Sequence, residues 1–156
     1  MKTTRFNLLK STLLLAMTIF GFSSYALAHC QVPCGIYDDS ARVDSMLEDA
    51  ATVQKAIATL ATLSGKTDLP SINQSVRWVQ NKELHAQRII ETISDYFLTQ
   101  RVKPGQDDYA TRLARHHSVI LAAMNAKQNT SFDAAQVLRV SIQNLRAYYP
   151  STAHKH

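Results

Sequence analysis

From Asp38 onward apolar residues return every three or four positions in four stretches, with three short breaks between them. That spacing puts them on one face of a helix. The first stretch carries Val43, Met46, Leu47, Ala50, Val53, Ile57 and Leu60; Asp38, Asp39 or Ser40 can cap its start, and Ser64-Gly65 closes it. A second is expected to start around Ser71, after Pro70, and to place Ile72, Val76, Val79, Ala86, Ile90, Ile93 and Phe97 on one face. Pro104-Gly105 requires it to stop near Arg101. The third reads Tyr109, Leu113, His116, Ile120 and Met124. The fourth reads Ala135, Leu138, Ile142, Leu145 and Tyr149, opened by Thr130 or Ser131 with Asp133 in the first turn and closed by Pro150. No stretch alternates as a half-buried strand does. The expected class is all-α, an antiparallel four-helix bundle over residues 38–150, with a disordered tail at 151–156. His154 and His156 belong to that frayed end.

The N-terminal residues follow a different pattern. Lys2, Arg5 and Lys10 precede an apolar core at 13–20 that is shorter than a membrane span, and Ala26-Leu27-Ala28 then offers small residues to a signal peptidase. Residues 1–28 are therefore read as a cleaved signal peptide, with the mature chain of 128 residues periplasmic or secreted and without a membrane segment. Three of the 17 Lys and Arg lie in that leader and all 12 Asp and Glu lie beyond it, so the net charge falls from +5 to +2 on cleavage. No basic run with interleaved aromatics remains, which argues against a nucleic-acid partner.

Cleavage after Ala28 makes His29 the first residue, with a free amine beside its imidazole. The only two cysteines, Cys30 and Cys34, follow at once. The amine of His29 and the amide nitrogen of Cys30 are adjacent donors, and the two thiolates complete an N2S2 set. A planar set of this kind favours Ni(II) or Cu(II) over tetrahedral Zn(II). The His29 imidazole is placed to approach from above the plane, and five such donors stabilise a higher oxidation state, which makes one-electron cycling chemically reasonable. The competing reading is a Cys30–Cys34 disulfide; so small a terminal loop adds little stability and gives His29 no purpose. His85, His116 and His117 are assigned to packing or surface, and Trp78 to a bundle or subunit contact.

The segment His29-Cys30-x-x-Pro33-Cys34-Gly35-x-Tyr37 resembles the nickel hook of nickel-dependent superoxide dismutases. Ser94-Asp95-Tyr96-Phe97, followed by the Lys103-Pro104 turn, resembles the segment of that family whose tyrosine lies near the hook. The resemblance implies a right-handed four-helix bundle assembled into a homohexamer, with one Ni per mature subunit held by His29, Cys30 and Cys34 in the hook, residues 29–37. It implies superoxide as substrate, O2 and H2O2 as products, and a cis Val32–Pro33 bond. Tyr37 and Tyr96 are then expected beside the metal without ligating it. In the family a carboxylate paired to an arginine commonly steadies the axial imidazole; here the nearest candidates are Asp44 and Lys82, and Gln31 stands where an acidic residue is frequent. The alternative from another functional class is an exported nickel- or copper-binding helical protein without turnover.

Overall fold

The computed structural model describes residues 38–150, and among them it is entirely helices and their connections. The leader, the hook with His29, Cys30, Cys34 and Tyr37, and the tail lie outside the described residues. Helix α1 spans Asp39–Leu63. Its cap is Asp38, whose carboxylate accepts from the amides of Ser40 at 2.7 Å and Ala41 at 3.2 Å, while Asp39 complements the helix dipole in the first turn. Gly65, at φ +76°, takes the left-handed turn that releases the chain from α1. Helix α2, Leu69–Glu91, begins two residues earlier than expected, because Asp68 caps it through the Ser71 amide and Pro70 fits in its first turn. The chain continues without a break as a π-helix, Thr92–Arg101.

Helix α3 spans Tyr109–Gln128. Helix α4, Phe132–Gln143, is capped by Ser131 and tightens into a 3-10 turn, Asn144–Ala147. Each helix packs on two neighbours, α1 on α2 and α4, and α3 on the same two, giving the expected antiparallel four-helix bundle. The core joins Val43, Met46, Val53 and Ile57 of α1 to Ile89, Ile93 and Phe97, to Val119 and Ala123 of α3, and to Leu138, Ile142 and Leu145.

One half-stripe differs from the expectation. Ile72, Val76 and Val79 were placed on the inward face of the second helix, yet they are 47, 52 and 41% exposed, and no residue from 58 to 81 is buried. Helix α3 runs out near Lys82. Beyond that level, among the described residues, Thr130 of the α3–α4 connection shares a hollow with Leu60, Ala61, Leu63, Ser64 and Ser75. Periodicity found the apolar face correctly but could not show that the neighbouring helix was too short to cover it. In the same way Leu113 and Met124 of α3 are exposed, and the buried face of that helix is His116 and Val119 with the small residues Ala122, Ala123 and Ala126.

Candidate metal centre and its tyrosine cluster

Asp38, the first described residue, sits at the end of the bundle where α1 begins and the π-helix finishes. The π-helix determines what stands there. Widened turns appear in the bond from the Val102 amide to the Phe97 carbonyl at 3.0 Å, and in Thr99, whose hydroxyl donates to the carbonyls of Ser94 and Asp95, each at 2.7 Å. In an α-helix, residues five apart point about 140° away from each other. The π-turn brings them onto one face. Arg101 consequently lies against Tyr96, and its guanidinium donates to the Tyr96 hydroxyl oxygen at 2.7 Å.

The same Arg101 clamps Asp39 across the helix pair, with Nε 2.7 and 2.9 Å from the two carboxylate oxygens. Tyr96 donates its hydroxyl proton to Asp39 Oδ1. The guanidinium carbons of Arg42 and Arg101 stand 4.6 and 5.0 Å from the centre of the Tyr96 ring, within cation–π range. Tyr96 is 4% exposed. Burial, then the neighbouring Asp39, push its phenol above the ordinary value, and Arg101 opposes both. The result is a neutral phenol whose proton points to a carboxylate and whose oxygen retains one lone pair for a further donor.

Of the expected site residues His29, Cys30, Cys34, Tyr37 and Tyr96, Tyr96 alone falls among those described, and Asp39, which it grips, lies two positions after Tyr37. The bundle therefore sets Tyr96 where the N-terminal segment joins it. Asp44 and Lys82 are not brought together. Asp44 pairs with Arg146 on the exposed α1–α4 side. Lys82 is 2% exposed and spends its ammonium on the end of α3, donating to the carbonyls of Ala126 at 2.9 Å and Lys127, and to Glu83 at 3.0 Å. The contact of His85 with Asp49, 2.6 Å, fixes the register of α1 against α2 and puts the levels of Asp44 and Lys82 about 12 Å apart along the bundle.

Sequence reasoning missed Arg101 and Asp39 as partners of Tyr96. Nothing in α-helical spacing links 96 to 101, and Asp39 read only as a possible cap. His116 is packing, as expected, and fully buried; His117 is exposed.

No group of three or more His, Cys, Asp or Glu side chains converges among the described residues. The donor set that suits a metal is therefore the one in the sequence at His29, Cys30 and Cys34, whose nitrogen and thiolate chemistry fits nickel. A helical bundle that offers a buried, charge-braced phenol at the mouth where a cysteine-bearing segment joins it is the framework of a small redox metalloenzyme. The family model of nickel-containing superoxide dismutase matches residues 24–153, and the chain belongs to that family. It is an oxidoreductase that acts on superoxide and uses nickel. No curated protein and no solved structure matches it significantly.

Proposed function

We propose that the mature enzyme begins at His29 and dismutates superoxide at a nickel hook docked beside Tyr96. The observation that carries this reading is the family match, whose span of residues 24–153 takes in both the hook residues and the bundle. His29 would contribute its amine and imidazole, Cys30 its amide nitrogen and thiolate, and Cys34 its thiolate. Bound nickel supplies the couple between the divalent and trivalent states, so that two superoxides and two protons become O2 and H2O2. The protein's own part is to orient and to hold protons. Tyr96, fixed by Asp39 and Arg101, presents its remaining lone pair to a small protonated or hydrated species, and its proton stays on the Asp39 side. Tyr37 would take the same role from the hook.

Export and assembly belong to the same reading. The leader at 1–28 directs the chain to the periplasm or beyond, and signal peptidase exposes the amine of His29. The outward stripe of Leu69, Ile72, Val76 and Val79 on the α1–α2 hairpin is an apolar face of the kind that copies of a chain bury against one another, which supports self-association, and the family resemblance implies the homohexamer as its form. Intact-mass measurement of purified protein, native and denatured, tests the processing site, the subunit number and the bound metal together. A mass beginning at His29 with one nickel per chain is expected, with nickel and superoxide removal both lost in Cys30→Ser and Cys34→Ser. Full activity in a mature chain starting elsewhere overturns it.

A further inference from the structure

The core holds a phenol–imidazole pair that dismutation does not use. His116 is fully buried and Tyr149 is 5% exposed. His116 Nδ1 lies 2.7 Å from the Arg112 carbonyl, which can only accept, so the proton sits on Nδ1 and leaves Nε2 as an acceptor; the Tyr149 hydroxyl donates to it at 2.9 Å. Burial lowers the imidazole's affinity for a proton and keeps it neutral, while burial pushes the Tyr149 phenol up to about 12 against the pull of Arg112. The phenol therefore does not ionise first. If Tyr149 is to lose an electron, its proton must leave with it, and the base that can receive it is already hydrogen-bonded.

Phe97 connects this pair to the Tyr96 cluster. Its ring centre lies 5.1 Å from that of Tyr96 and 4.6 Å from that of Tyr149, with His116 at 5.7 Å. Tyr96 has a proton acceptor of its own in Asp39. Two phenols, each bonded to a base, are thus separated by one aromatic ring through a sealed core.

We propose that Tyr149 and His116 form a proton-coupled redox pair that draws oxidising equivalents away from the metal centre. The proposal rests on the reading that Tyr96 stands beside that centre. A one-electron oxidant of the peroxide-derived radical class takes an electron from Tyr96, whose proton passes to the Asp39 carboxylate. Tyr149 then gives an electron to the Tyr96 phenoxyl, Asp39 returns the proton to Tyr96, and the Tyr149 proton moves to His116 Nε2. Tyr96 and Asp39 are restored, leaving a Tyr149 phenoxyl beside a His116 imidazolium. Superoxide reduces that phenoxyl and leaves as O2, and the imidazolium returns the proton. Each proton transfer runs along a hydrogen bond already made, Tyr96 to Asp39 and Tyr149 to His116 Nε2, and the return of its proton leaves Asp39 free to resume its pairing with Arg101. The benefit falls on Cys30 and Cys34, since thiolates near peroxide are exposed to irreversible over-oxidation.

The test uses nickel-loaded protein in a Trp78→Phe background, so that no indole competes, oxidised with azide radicals from pulse radiolysis and freeze-quenched for electron paramagnetic resonance. The expected spectrum contains a tyrosyl radical with the reduced g-anisotropy of a phenoxyl bonded to a cationic donor. It disappears in Tyr149→Phe and survives in Tyr148→Phe. Tyr149→Phe is also expected to dismutate at the normal initial rate but to accumulate over-oxidised Cys30 and Cys34 several-fold faster under hydrogen peroxide. If Tyr149→Phe does not fold, 3-fluorotyrosine at 149 keeps the hydroxyl and adds fluorine hyperfine structure to the same signal. An unchanged radical in Tyr149→Phe, or a native signal without fluorine coupling in the labelled protein, overturns the proposal. Dismutation by Tyr96→Phe reports separately on the reading of the metal centre.

Discussion

Replacing Lys82 by Met tests whether this buried cation is a structural cap on α3 or a support for the metal centre. Its ammonium donates to the carbonyls of Ala126 and Lys127, in the last turn of α3, and Ala126 is fully buried. The last carbonyls of a helix lack partners within it, and a cation there also meets the negative end of the helix dipole. Removing a charged donor from a buried carbonyl costs about 1.5–3 kcal/mol, and the dipole adds about 0.3–1 kcal/mol. Part of this is recovered because Met keeps the apolar stem and removes the desolvation of a buried charge. A net loss of about 2 kcal/mol is expected, equivalent to a melting temperature lower by roughly 8 °C for a domain of this size. Urea unfolding at fixed protein concentration reads it as a lower midpoint with an unchanged slope. Nickel content and dismutation per nickel should stay normal, because Lys82 is spent at the far end of α3. Unchanged stability with lost nickel or activity would refute this reasoning and return Lys82 to the imidazole of His29.

Three further outcomes are expected. Arg101→Met removes the donor that favours the Tyr96 phenolate, so the Tyr96 phenol should titrate higher in ultraviolet difference spectra and dismutation per nickel should fall on the order of 10-fold; a phenol that does not move upward contradicts the cluster. Stability should depend on pH at both ends through one pair. The lowered affinity of His116 leaves its contribution intact above about pH 6.5, and stability falls below that as the unfolded chain takes up a proton that the native state refuses, by at most about 1.4 kcal/mol per pH unit. Tyr149 acts in the opposite sense: its contribution is present below about pH 10 and lost between there and about 12, as the unfolded phenol ionises first, and Tyr149→Phe should flatten this alkaline limb in urea titrations. Phe97→Ala should cost about 3–5 kcal/mol by leaving a cavity where three aromatic rings meet, and a loss below about 1 kcal/mol would show that the rings close over the gap.

The helices were legible where a residue's neighbours are set by its own helix. Val43, Met46, Ala50, Val53 and Ile57 repeat at helical spacing and all are buried, and Leu138, Ile142 and Leu145 do the same in α4. Legibility failed where the answer depends on another segment's length or winding. Ile72, Val76 and Val79 carry the same period as the buried residues, but whether they are covered depends on where α3 ends. The role of Lys82 was equally invisible, because its partners are backbone carbonyls more than forty residues away, and no side-chain pattern announces them. For the metal centre the order was reversed: donor chemistry lay in nine consecutive residues and was legible before any fold, whereas the partners of Tyr96 had to be seen.

Those partners depend on the winding of residues 92–101. If this stretch continued as an α-helix, Ile93, Phe97 and Gln100 would keep the inward face and Tyr96 would share it at three-residue spacing, but Arg101 would turn away. Asp39 would then lose the guanidinium that clamps both of its carboxylate oxygens, and Tyr96 the donor to its hydroxyl oxygen. The widened turns remove the conflict by carrying Arg101 around to Asp39 and Tyr96 together, and Thr99 secures them by donating to the two carbonyls that the wider winding displaces. A π-helix is the less favourable winding, so its persistence over ten residues requires compensation from elsewhere. The Asp39–Arg101 clamp and the packing of Phe97 beneath it are that compensation, which ties the winding of residues 92–101 to the hydrogen bonds that hold Tyr96.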